Sequence, residues 1–143
     1  MVKNRLNLVA AALCFAFAGP LLAADSAMSK DEVKAEKDRI KQESKAHKDK
    51  CKDMKANAKD ICMAEAKGHE KLAKAELEAK QNDTPKNRYD VAAAKADMEY
   101  GVAKEKCDDM KGKEKSACEK DAKAARDTAK KAAKSERDAA KKS

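Results

Sequence analysis

The sequence predicts an all-α protein: a leader segment, then about four helices paired into hairpins in a loose bundle or an elongated coiled-coil-like arrangement, stapled by disulfides. Three observations point there. Lys, Ala and Glu, all strong helix formers, dominate a 143-residue chain that is 42% charged and has no Trp. Apolar side chains recur at helical rather than strand spacing. Four cysteines fall into two pairs, with ten residues between the members of each.

The leader comes first. Lys3 and Arg5 precede a run from Leu6 to Ala18 in which only Asn7 is polar, followed by Gly19, Pro20 and small residues up to Ala24 before Asp25. A basic start, an apolar stretch and small residues before a charged one are the marks of an export signal. The stretch falls short of the roughly 20 apolar residues of a membrane span. Cleavage is expected after Ala23 or Ala24, with delivery to the periplasm or the exterior. Segments 1–24, 25–84 and 85–143 read as signal, first helical hairpin and second hairpin with a basic last helix.

Without Lys3 and Arg5 the formal net charge falls from +8 to +6. The only aromatics left are Tyr89 and Tyr100. No large core can be built from such a chain, which borders on the compositions of disordered segments. Covalent closure has to supply what burial does not.

Cys51, Cys62, Cys107 and Cys118 provide that closure. Cys51-Lys52-Asp53-Met54-Lys55 matches Cys107-Asp108-Asp109-Met110-Lys111, so the unit recurs after 56 residues, which reads as an internal duplication. In an exported chain an even set of cysteines implies disulfides. Residues eleven apart in one helix lie roughly 16 Å apart along its axis, too far for a bond that needs Cα atoms within about 7 Å. A Cys51–Cys62 bridge therefore demands a reversal between them, with Asn57 as an N-cap. A Cys107–Cys118 bridge demands another, with Gly112 as a left-handed residue ending a helix. The rival pairing, Cys51–Cys118 with Cys62–Cys107, would staple two long helices folded at Thr84-Pro85.

Asn82-Asp83-Thr84-Pro85 marks a further break, because proline removes a donor and Thr favours a new helix start. The expected helices run over 29–55, 58–81, 86–111 and 114–141. Their apolar stripes are thin: Val33, Ile40 and Met54 on the first, Ile61, Gly68 and Leu72 on the second, Tyr89, Ala96, Tyr100 and Met110 on the third. The last has nothing larger than Ala after Cys118, so its packing must use Ala and aliphatic lysine stems. Pairs of opposite charge, such as those around Glu32 and Glu36, add helix support.

No nucleophile elbow, phosphate loop or zinc-protease signature occurs, and the carboxylates are interleaved with lysines as on a solvated face. The chain is expected to be no enzyme and to need no cofactor. His47, Met54, Met63 and His69 form a soft-donor set that invites copper or nickel, but the thiols beside them are expected to pair, and no metal site is assigned. Lys130, Lys131, Lys134, Arg137, Lys141 and Lys142 give the last helix a basic texture that attracts polyanions. Export directs it to anionic envelope surfaces rather than nucleic acid.

The Cys-x10-Cys units in Lys/Ala-rich surroundings, Ala56-Asn57-Ala58-Lys59-Asp60 before Cys62, and Pro85-Lys86-Asn87-Arg88-Tyr89-Asp90 leading to Ala103-Lys104-Glu105-Lys106-Cys107 carry a resemblance. Over residues 45–125 the chain resembles small exported proteins of Gram-negative bacteria, some described as TolA-like or cell-envelope-biogenesis proteins. The resemblance implies a structural or stress-related interaction role in the envelope, with an unidentified envelope partner and self-association open. The alternative expectation is a protein that sequesters soft metals or anionic envelope polymers.

Overall fold

The computed structural model describes residues 28–142 and is all-helical there. The leader lies outside the described residues. Four helices, α1 (Lys30–Lys52), α2 (Ala56–Gln81), α3 (Pro85–Cys107) and α4 (Gly112–Ala140), follow one another through short turns. Each packs on its neighbours in the chain: α1 on α2, α2 on α3, α3 on α4, with no contact between α1 and α4. The fold is thus a loose, open bundle, a row of antiparallel helices in which only α2 and α3 are covered on two sides. None of these helices is long and apolar enough to cross a membrane.

Local sequence explains where each helix starts. At α1, Ser29 accepts from the Glu32 amide and Glu32 accepts from the Ser29 amide at 2.7 Å, a reciprocal capping box. Glu32 therefore caps the helix instead of pairing with lysine, while Glu36 pairs with Arg39. At α3, Thr84 caps the Asn87 amide at 3.1 Å and Pro85 occupies the first helical position, where its missing N–H costs nothing. This is the break expected at Thr84-Pro85.

The disulfides are Cys51–Cys62 and Cys107–Cys118, with Cα separations of 5.6 and 5.7 Å. Each bridges two successive helices at their turn, and the long-hairpin pairing is not the one formed. Because the helices alternate in direction, both bridged turns lie at one end of the row, and the Thr84 turn lies at the other.

The reversals are made differently from expectation. Asn57 is not an N-cap: Lys55 holds that position, without a side-chain cap, and the chain reverses through left-handed Ala56, with φ 49°. Helix α2 therefore opens two residues early, and Asn57 sits in its first turn. From there its side-chain amide donates to the Glu105 carbonyl at 2.6 Å, a last-turn carbonyl of α3 that also accepts from the Asp108 amide at 3.1 Å. Gly112 is left-handed as expected, with φ 56°, but it opens α4 rather than ending α3. Helices α1 and α3 stop at Lys52 and Cys107, short of the expected 55 and 111, because each turn opens within a residue of its first cysteine and takes the methionine and lysine behind it.

The core is thin. Ile40 and Leu77 are its only large aliphatic members among the described residues; Cys51, Cys62, Ala66, Ala96, Cys107 and Ala133 complete it. At the joint between the two hairpins Gly68 lies against Met98, so close that a Cβ at Gly68 would fall 2.8 Å from the Met98 Cβ. A closed 11-residue loop is worth about 3 kcal/mol, comparable to full burial of one Ile or Leu at about 1.5–3 kcal/mol. With two disulfides and two large buried aliphatics, covalent closure contributes at least as much as those two side chains do.

Candidate functional site

The groove between α1 and α2 gathers the most varied chemistry in the described residues. It has a volume of about 390 Å³, and Ile40, Ser44, His47, Ala66, His69 and Glu70 are among its lining residues. His47 lies one helical turn before Cys51, and His69 two turns after Cys62. Antiparallel packing sets the two imidazoles opposite each other, with ring centroids 6.1 Å apart and planes tilted by 32°. A ring nitrogen of His47 and the sulfurs of Cys51 and Cys62 lie within 4.8 Å of one another. His47 is half-buried and His69 exposed.

Beside the imidazoles a charged network clamps α1 to α2. Glu70 accepts from Ser44 Oγ and from Lys48 Nζ, each at 2.6 Å, and from Lys74 Nζ at 2.5 Å. The ammonium of Lys48, followed by Lys74 and the Ser44 hydroxyl, holds the Glu70 carboxyl down at about 2, against the modest opposing effect of burial. A carboxyl held this far down remains an anion through the neutral range. It is an anchor, and offers no proton for general acid work.

The soft-donor set named from the sequence is only partly brought together. His47 and His69 meet. Met63 is half-buried and packs against the Cys51, Cys62 and Ala66 cluster. Met54 lies outside that cluster, on the turn, where it is 44% exposed; Met110 on the other bridged turn is 42% exposed. These are the only exposed large apolar side chains in the described part of the chain, and both stand at the disulfide end of the row.

The basic set on α4 also divides. Lys130 pairs with Asp97 of α3 at 2.9 Å, and Arg137 pairs with Asp138 at 2.7 Å while its guanidinium lies 4.8 Å from the Tyr89 ring centroid. Lys131, Lys134, Lys141 and Lys142 are exposed. Arg126 lies 4.5 Å from the centroid of Tyr100. Two of the six expected polyanion contacts are thus turned towards α3, where planar guanidinium on aromatic ring substitutes for the aliphatic packing that α4 lacks.

Sequence reasoning missed the Glu70 network and both Arg–Tyr stacks, which join residues far apart in the chain. It had a signal for the third member of the His–Cys group: His47 and Cys51 are four residues apart, hence on one helix face.

Comparison with protein-family models, with curated proteins and with solved structures gave no match. The site's chemistry stands on its own geometry.

Proposed function

We propose that the chain is a non-enzymatic periplasmic protein, exported by its leader, that serves a structural or stress-related interaction role in the cell envelope. The observation that carries this reading is the disulfide end of the row. Both bridged turns present a methionine to solvent, Met54 at 44% and Met110 at 42% exposure, on backbones fixed by covalent closure. Methionine adapts its shape to a partner, and a fixed turn avoids the ordering cost that a flexible segment would bear on binding. Export to an oxidising compartment is consistent with two disulfides in so small a chain, and the recurrence after 56 residues with the presence of two such turns.

Two measurements test the reading. Intact mass of periplasmic material should give a chain beginning at Ala24 or Asp25; a species retaining Met1 to Ala23 would remove the compartment from under it. Photo-crosslinking side chains placed at positions 54 and 110 in living cells should give a discrete adduct that is absent from position 131 on α4. Equal labelling at all three positions, or none, would show that the methionine end is not the interaction surface.

A further inference from the structure

We propose that His47, Cys51, Cys62 and His69 form a thiol-gated site for a borderline-soft divalent ion of the zinc class, closed while Cys51–Cys62 is a disulfide and opened by its reduction. The inference is independent of the interaction reading and rests on three observations. First, His47 and the two sulfurs already lie within 4.8 Å of one another. Tetrahedral zinc with Zn–S near 2.3 Å and Zn–N near 2.0 Å sets its ligand atoms about 3.3–3.8 Å apart, so once the S–S bond is cut the two sulfurs must part by about 2 Å, and the His47 nitrogen need close by no more than about 1–1.5 Å. Second, His69 faces His47 with ring centroids 6.1 Å apart. It is exposed, free to swing in as a fourth ligand. Third, the second disulfide lacks such neighbours: the residues 56 positions on from His47 and His69 are Ala103 and Ala125.

The chemistry balances as follows. A dithiol reductant gives two electrons and two protons to the Cys51–Cys62 bond, yielding two thiols and the disulfide of the reductant. The ion then binds both sulfurs as thiolates together with two neutral imidazoles, releasing two protons, a donor set suited to zinc and its congeners. Ser44 and Lys48 hold Glu70 across α1 and α2 through bonds that do not involve sulfur. The hairpin therefore keeps its register while the bridge is open. Met63 and Ala66, packed against the cysteines, give the site an apolar flank that limits water access. Reoxidation by a disulfide oxidant, which takes two electrons from the thiolates and is itself reduced to a dithiol, would expel the ion, since a neutral disulfide sulfur is a far weaker donor than a thiolate.

Cobalt(II), a spectroscopic substitute for zinc, is the probe. The exported chain, reduced with a phosphine, should take up one equivalent with a thiolate-to-cobalt charge-transfer band and the visible bands of tetrahedral cobalt; the oxidised chain should give neither. His47→Ala should weaken uptake by at least about 100-fold, since even the partners of metal ligands are worth 10–100-fold. Cys107→Ser with Cys118→Ser should leave uptake intact. Ala103→His with Ala125→His should create a second equivalent, a gain that loss of folding cannot mimic. The proposal is overturned by equal uptake in the oxidised protein, by two equivalents in the reduced natural sequence, by indifference to His47→Ala, or by a reduced chain whose helicity collapses and is not restored by the metal.

Discussion

The hairpin of α1 and α2 and the hairpin of α3 and α4 close in the same way and are held along their length by different forces. In each, a methionine amide on the turn donates to the carbonyl of the first cysteine, Met54 to Cys51 at 3.2 Å and Met110 to Cys107 at 3.0 Å. Both then pass through an extended lysine and a left-handed residue. Buried positions also correspond at an offset of 56: Ile40 with Ala96, Leu77 with Ala133, Cys51 with Cys107. Where the first hairpin sets Ser44 on Glu70, however, the second sets Tyr100 under Arg126, at the same offset. Where the first buries Ile and Leu, the second buries Ala and touches along more of its length. A turn and a disulfide thus specify a hairpin, and the residues behind them are free to hold it by a charged clamp or by stacking.

The largest expected effect breaks the closure itself. Replacing either cysteine pair by serine should cost about 3 kcal/mol in urea unfolding, from the entropy returned to an 11-residue loop. The two variants should differ in what comes loose. Helix α1 is an edge helix with one neighbour, held chiefly by Ile40 and the Glu70 clamp, whereas α4 keeps two Arg–Tyr stacks and the Lys130–Asp97 pair. Amide exchange should therefore lose protection across α1 in Cys51→Ser/Cys62→Ser before it does across α4 in Cys107→Ser/Cys118→Ser. Equal loss in the two helices would show that the stacks hold no better than the clamp.

Acid sharpens the same comparison with a smaller effect. The folded carboxyl of Glu70 sits at about 2, below its ordinary 4.5. Its stabilisation is therefore complete above about 4.5 and is lost as pH falls towards 2. The corresponding position in the second hairpin is Arg126, which does not titrate in this range. There Asp108 is also held below its usual value by Lys115, first through their hydrogen bond, but that pair lies at a turn the disulfide already closes. Between pH 5 and 2, amide exchange should report α1 loosening ahead of α4. Glu70→Gln should remove the pH dependence of that step while weakening α1 at every pH, and an unchanged acid profile in this variant would assign the step to another carboxyl.

Helix content, the Thr84-Pro85 break and the local disulfides were legible in the sequence because each has a short-range cause: propensity, capping chemistry, or the reach of a disulfide over ten residues. Asn57 was misread for the same reason. A side chain able to cap its own helix is indistinguishable, in sequence, from one that reaches the Glu105 carbonyl of a neighbour 48 residues away. The candidate site was half legible. His47 and Cys51 share a face by spacing, but the approach of His69 to His47 depends on how α2 is registered against α1, which the turn geometry at Ala56 decides. The looseness of the bundle was expected from its thin stripes, but the separation of α1 from α4 was not, since Ala-rich stripes fit a closed bundle as well as a line of helices.

That turn geometry yields the smallest effect and the cleanest contrast. Ala56 and Gly112 occupy the same place, each the first residue of its helix with φ of 49° and 56°. A left-handed conformation costs an L-residue about 1–2 kcal/mol, because its Cβ crowds the neighbouring carbonyl, and costs glycine nothing comparable. The first hairpin therefore carries a strain that the second does not. Ala56 is exposed, and a Cβ built on Gly112 meets nothing within 4 Å, so backbone conformation is the only property the exchange alters on either side. Ala56→Gly should stabilise the protein by about 1 kcal/mol, less what the more flexible unfolded chain recovers, and Gly112→Ala should destabilise it by a similar amount. The sites are separate enough to add, so the double exchange should unfold in urea at the midpoint of the natural chain. If Ala56→Gly instead destabilises, the first turn does not reverse through a left-handed residue, and the likeness between the two turns ends at their cysteines.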